Sequence, residues 1–224
     1  MIRYALGFAF LLQFISAAVA FGAEPLQPMR TVKANVITSL REPAVTVEVP
    51  KQAKYVGADR FTLYGVADCE FYLYVDADDQ KLVKRIYWVQ FEGYLPTKPN
   101  LKYSPATKET VEIGGLAFYT RARFGPTGDT PRAGSESERV MKLLHGAGYR
   151  LPRDMMHARY IHYLDQDMRK ELMLIVSEDL AQTGFTSNQL IDGNEPKPEW
   201  AKIGEGFLAR AKESFTIKQL ESAR

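Results

Sequence analysis

The stretch from Cys69 to Glu92 constrains the fold more than any other part of the chain. Two runs rich in aromatic and β-branched residues, Cys69 to Asp76 and Leu82 to Glu92, flank the turn-like cluster Ala77-Asp78-Asp79-Gln80-Lys81. Strand side chains alternate between faces, so pairing Asp76 with Lys81 sorts both runs. One face gathers Phe71, Leu73, Val75, Leu82, Ile86 and Trp88 and reads as core. The other gathers Glu70, Tyr72, Tyr74, Arg85 and Tyr87, with Val83, Val89 and Phe91 adding apolar area. Tyrosine joins a large apolar body to a hydroxyl, which suits a surface that meets a ligand. It equally suits a pleated surface in plain sheet packing, or a face covered by a second layer.

Further elements extend this meander. Phe61 to Val66 precedes it as a strand, and Val45, Val47 and Val49 alternate with polar residues in Ala44 to Val49. Leu116 to Phe124 follows the Gly114-Gly115 break, and Gly125 to Gly134 reads as a mobile Gly/Pro-rich loop. Ser135 and Glu138 have capping-box spacing ahead of Val140, Leu143, Leu144 and Ala147, a helix expected to stop near Gly146 or Gly148. Ala158 to Leu164 and Glu171 to Ser177 form a second hairpin. Thr186 to Gln189 caps a brief helix. Pro198 opens a final helix carrying Trp200, Ile203, Phe207, Ala211 and Phe215 on one face. The expectation is an α+β fold, a largely antiparallel β-sheet of about six or seven strands with a mid-chain and a C-terminal helix packed on it.

The N-terminus has a different character. Arg3 precedes an apolar run from Tyr4 to Ala20 that ends Ala18-Val19-Ala20, the pattern of a secretory signal peptide. Residues 1–20 are therefore read as a signal peptide, with cleavage after Ala20 or, as a variant, Ala23. The protein is expected to be exported, periplasmic or secreted, with no stable membrane span after cleavage. Residues 21–43 carry Pro25, Pro28 and Pro43 and read as a loosely ordered lead-in, leaving 44–224 as a single domain.

Composition excludes several classes. The formal net charge of +2 loses only Arg3 with the signal, so nucleic acid is not an expected partner. Cys69 is the sole cysteine, which rules out an intramolecular disulfide, and its place at the start of an apolar strand marks a buried thiol. The three histidines give no metal-ligand spacing: His157 and His162, five apart, fall on opposite faces of a strand. Asp76, Asp78 and Asp79 lack the glycine and distal glutamate of a calcium loop. No cofactor is expected.

Three functional readings remain. Arg121 and Arg123 share a strand face with Tyr119, about 6.6 to 6.8 Å apart, a spacing suited to bidentate grip on a carboxylate or phosphate. Glu92 ends the core-side face that carries Trp88 and Gln90; brought to the arginines, it either lines a cavity with them or closes the core as an ion pair. The main reading is an exported, non-enzymatic binding protein whose sheet face or cavity, lined by Tyr72, Tyr74, Arg85, Tyr87, Trp88, Arg121 and Arg123, takes a small amphipathic or anionic ligand. The first alternative is an exported hydrolase using His162 with a carboxylate, Glu171 or Glu92. It needs a two-residue turn at Gln166-Asp167 to set His162 against Glu171; a one-residue slip sets it against Leu172. The second is a cell-envelope protein that contacts a protein partner through a mobile loop from Gly93 to Lys108.

Overall fold

The computed structural model describes residues 26–105, 107–128 and 131–221; the signal-peptide reading and residues 129 and 130 of the Gly/Pro-rich loop lie outside them. Seven antiparallel strands form the main sheet: β4 (Lys54–Leu63), β5 (Ala67–Ala77), β6 (Val83–Tyr94), β7 (Thr110–Ile113), β8 (Leu116–Pro126), β9 (Asp154–Tyr163) and β10 (Lys170–Asp179), in the order β4-β5-β6-β10-β9-β8-β7. A smaller sheet has the order β1 (Thr31–Lys33), β2 (Val36–Ser39), β3 (Val45–Glu48) and β13 (Thr216–Gln219). The two-residue strands β11 (Ile191–Asp192) and β12 (Glu195–Pro196) make a separate ladder. With helices α1 (Glu136–Gly146) and α2 (Pro198–Ala211), this is an α+β fold dominated by antiparallel sheet. Among the described residues no helix is long and apolar enough to cross a membrane.

Each face of the main sheet has its own core. Tyr72, Tyr74, Tyr87, Val89 and Phe91 point to one face, where the small sheet covers them with Ile37, Val45, Val47 and Ile217. Helix α2 extends this cover over β8 and β9: Trp200 packs on Phe124 with ring centroids 4.5 Å apart, and the Tyr160 hydroxyl donates to Leu208 O at 2.6 Å. A Cβ on Gly204 would lie 3.3 Å from that of Ala122, so the glycine lets the helix settle close to the strand. On the opposite face, Phe71, Leu73, Val75, Ile86 and Trp88 pack under Val140 and Leu144 of α1. The alternation read from sequence assigns these faces correctly, with one exception. A bulge at Asp76/Ala77 opposite Arg85 and Val83 turns Val83, not Leu82, into the core beneath α1.

The stretch 26–43, expected as a lead-in, is built into the fold. It supplies β1 and β2, and the Arg30 guanidinium pairs with Glu70 at 2.8 Å while stacking over Phe91. Helix α1 starts at the expected cap: Ser135 accepts from Glu138 N at 3.2 Å, while the Glu138 carboxylate accepts from Gly134 N at 2.6 Å, one residue before the partner that a full capping box would use. The loop after β6 also departs from expectation. Strand β6 runs to Tyr94, and Arg169 holds the following loop by donating to the carbonyls of Lys98, Pro99 and Leu101 at 2.7 to 2.9 Å.

Candidate ligand-binding site

Helix α1 covers β4, β5 and β6 and leaves the far half of the same sheet face open. Strand register places two transverse rows there. One reads Trp88, Ile175, Arg159, Arg121 and the next reads Ile86, Ser177, His157, Arg123, taken across β6, β10, β9 and β8. Each row passes from apolar or aromatic residues beneath the helix to arginine in solvent.

At the inner end lies a cavity of about 410 Å³, walled by Ile86, Trp88, Val140, Met141, Leu151 and Met155, with His157 and Ser177 on its floor and Thr127, Arg132, Ser135 and Ser137 at its sides. That size suits a small organic ligand, and apolar walls with a few convergent polar groups are the usual makeup of such a site. Between β8 and α1, Thr127, Gly128, Pro131 and Arg132 line the cavity, and Thr127 N donates to Arg153 O at 2.8 Å.

His157 Nδ1 and Ser177 Oγ are hydrogen-bonded at 2.8 Å. Burial, and then the charges of Arg159 and Arg123, push the imidazole pKa down to about 4. The ring is therefore neutral at neutral pH and a weak base, able to share a hydrogen bond with the Ser177 hydroxyl. Trp88 Nε1 and Thr127 Oγ1, both in cavity-lining residues, are buried without a hydrogen-bond partner among the described residues.

The outer end is a like-charge cluster. Arg121, Arg123 and Arg159 are exposed, and none forms an ion pair among the described residues. Arg121 and Arg159 are directly opposite each other. Partial burial, followed by Arg121 and Arg159, lowers the pKa of Arg123. The carboxyl whose charge reaches Arg159 is Glu171, and it is raised to about 8 by burial and by Glu92 and Glu136. At neutral pH it is mostly protonated and leaves the arginines without a counter-charge.

The other sequence candidates are placed differently. Tyr72, Tyr74 and Tyr87 are at most 1% exposed beneath the small sheet, and their hydroxyls are engaged, so they do not form a ligand surface. Tyr72 donates to Arg30 O at 3.0 Å and bonds Glu70; Tyr74 donates to Ala34 O; Tyr87 donates to Asp76 at 2.7 Å. Arg85 lies on that same covered face, bonded to the buried Glu178, which also binds Arg210. Their alternation with the true core face is what made them look like a free surface. Trp88, Arg121 and Arg123 do share the open face.

Glu92 is on that face too, but three strand spacings, about 14 Å, separate β6 from β8. Its partners are Gln90 Nε2 at 2.7 Å and the Tyr103 hydroxyl at 2.8 Å, so neither an arginine pair nor a shared cavity forms. Glu171 is directly opposite Glu92 and also opposite Tyr163, which puts His162 against Leu172, on the other face of the sheet. His162 Nδ1 instead contacts Ala117 O at 3.0 Å, and its ring packs on Phe118. The hydrolase constellation of His162 with Glu171 or Glu92 is therefore not assembled.

Sequence reading missed His157, Ser177 and Arg159. The pairing of His157 with Ser177 and of Arg159 with Arg121 follows from strand register, which the sequence left open between two alternatives for β9 and β10. Comparison with protein families, with curated proteins and with solved structures finds no match.

Proposed function

We propose that this is an exported binding protein for a small amphipathic anion. The anionic head is held by Arg121, Arg159 and Arg123, and the apolar body runs along the two rows into the cavity beneath α1. One observation carries the reading: three neighbouring arginines without a carboxylate partner adjoin an apolar cavity. Like charges opposite one another in a sheet are destabilising, and an anion turns that repulsion into attraction through bidentate guanidinium hydrogen bonds. Native mass spectrometry of mature protein from its own exported fraction tests it. A bound anion that is lost from the Arg121→Ala variant supports the reading, and an adduct-free mass on protein never denatured counts against it.

A second reading is acyl transfer by Ser177, favoured by the 2.8 Å contact of its hydroxyl with His157 Nδ1 and opposed by the lowered basicity of that imidazole. Treatment with a fluorophosphonate distinguishes it: a mass increment at Ser177 that needs His157 supports it, and an unlabelled Ser177 removes it.

A further inference from the structure

We infer that the cavity beneath α1 continues into a second anion subsite formed by Arg153 and Arg150, so that its ligand carries an anionic group at each end of an apolar chain. This rests on the reading of cavity and arginine cluster as one site for an amphipathic anion.

The open face of β9 bears arginine at both ends. Alternation puts Arg159, His157 and Met155 on that face, and Arg153, one residue before the strand, continues the series. The ladder reaches that far, because Thr127 N donates to Arg153 O at 2.8 Å. Arg159 and Arg153 are exposed, His157 is half-buried and Met155 is buried. The two residues between the arginines both line the cavity. Beside Met155, β8 presents Gly125, where a Cβ would meet nothing within 4 Å, so the space next to this part of the floor is open.

The cavity adjoins a second depression of about 510 Å³ and shares Pro126, Thr127, Gly128, Met141 and Leu151 with it. His145, Arg150 and Arg153 line the part that is new, and no carboxylate lines it among the described residues. The two arginines have only long contacts of their own. Arg150 Nη2 donates to Gln80 O at 3.3 Å, and Arg153 Nε lies 4.0 Å from Asp154 Oδ2. Their remaining guanidinium donors are free for a carboxylate or phosphate. Arg123 is directly opposite His157, and the run of β9 from there to Arg153 covers about 14 Å. An extended dodecane chain matches that span. A monoanion with its head on the first cluster leaves the second subsite to water, whereas a chain charged at both ends fills the two together.

The test compares dodecanoate with dodecanedioate by isothermal titration calorimetry on the mature protein, in wild type and in the Arg150→Gln, Arg153→Gln double variant. The expected result is roughly tenfold tighter binding of the dianion to wild type, the gain from one more charged hydrogen-bonded contact. That advantage should disappear in the double variant, with dodecanoate affinity kept. The Arg153 side chain is 81% exposed, so its replacement leaves the packing of the fold in place. Equal affinities of the two acids for wild type, or a dianion advantage that the double variant retains, overturn the second subsite while leaving the amphipathic-anion reading intact. Failure of both acids to bind overturns that reading and the subsite with it.

Discussion

Arg121 stands directly opposite Arg159 across β8 and β9, two guanidinium side chains on one sheet face with no carboxylate paired to either among the described residues. A pair chosen for folding would carry opposite charges here. Replacing Arg121 with Ala should therefore stabilise the ligand-free protein by about 0.5 kcal/mol. The same change should weaken binding of an amphipathic anion roughly tenfold or more, as expected for loss of a charged hydrogen bond. Denaturant unfolding and calorimetry on one preparation check both effects. A loss of stability together with unchanged affinity would show that the arginine serves packing instead.

Glu171 gives the site a pH dependence. Burial, then Glu92 and Glu136, raise its pKa to about 8, while Arg159 opposes the shift and the neighbouring Tyr163 stays neutral until about pH 12. As pH rises through 8 the carboxylate forms and offsets the charge of Arg159. Anion affinity should fall across that window, and Glu171→Gln should flatten the profile. The same group affects stability. Its folded pKa lies above its unfolded value near 4.5, so its contribution is full below pH 4.5 and is lost as pH rises towards 8.

His157 acts in the opposite direction. Its folded pKa of about 4 lies below the ordinary 6.5, so the unfolded chain binds the proton more readily between those values. Stability from this group is complete above pH 6.5 and is lost as pH falls through 4. Thermal unfolding of His157→Gln, followed from pH 7 to 4, should show a shallower decline than wild type.

A structural prediction concerns the β7–β8 turn. Gly114 and Gly115 both have positive φ, 61° and 79°, as a two-residue hairpin linking Ile113 and Leu116 requires. A Cβ at Gly114 would lie 2.5 Å from Ile217 O in β13. Gly114→Ala should cost at least about 1 kcal/mol of stability in denaturant unfolding, because strained backbone and a clash against the small sheet act together.

Much of the scaffold was legible as alternation. Phe71, Leu73 and Val75 against Tyr72 and Tyr74 is a period of two, and it placed both faces of β5 correctly. The failures arise where local geometry breaks that period. The bulge at Asp76/Ala77 moved Val83, and no residue type announces it. The turn after β9 runs from Asp165 to Arg169, with Met168 at a φ of 52° and Asp165 Oδ1 accepting from Arg169 N at 2.7 Å. Read as a shorter turn, it shifts the register by one and sends His162 towards Glu171 while separating His157 from Ser177. The covering layer was unreadable for a different reason. Strands β1, β2 and β13 have three or four residues each and come from opposite ends of the chain, too short and too distant for periodicity to reveal that they meet over Tyr72 and Tyr74. Of the candidate site, Arg121 and Arg123 were legible from their spacing; Arg159, which joins them only through the β8–β9 register, and the cavity, which depends on α1 crossing the sheet, were not.

The most direct measurement is isothermal titration calorimetry of mature protein at neutral pH with dodecanoate and with dodecyltrimethylammonium, each below its micellar concentration. Saturable binding of the anion, no binding of the cation, and loss of anion binding in the Arg121→Ala, Arg123→Ala double variant are expected. Equal binding of both chains, or anion binding that the double variant retains, would contradict the amphipathic-anion reading.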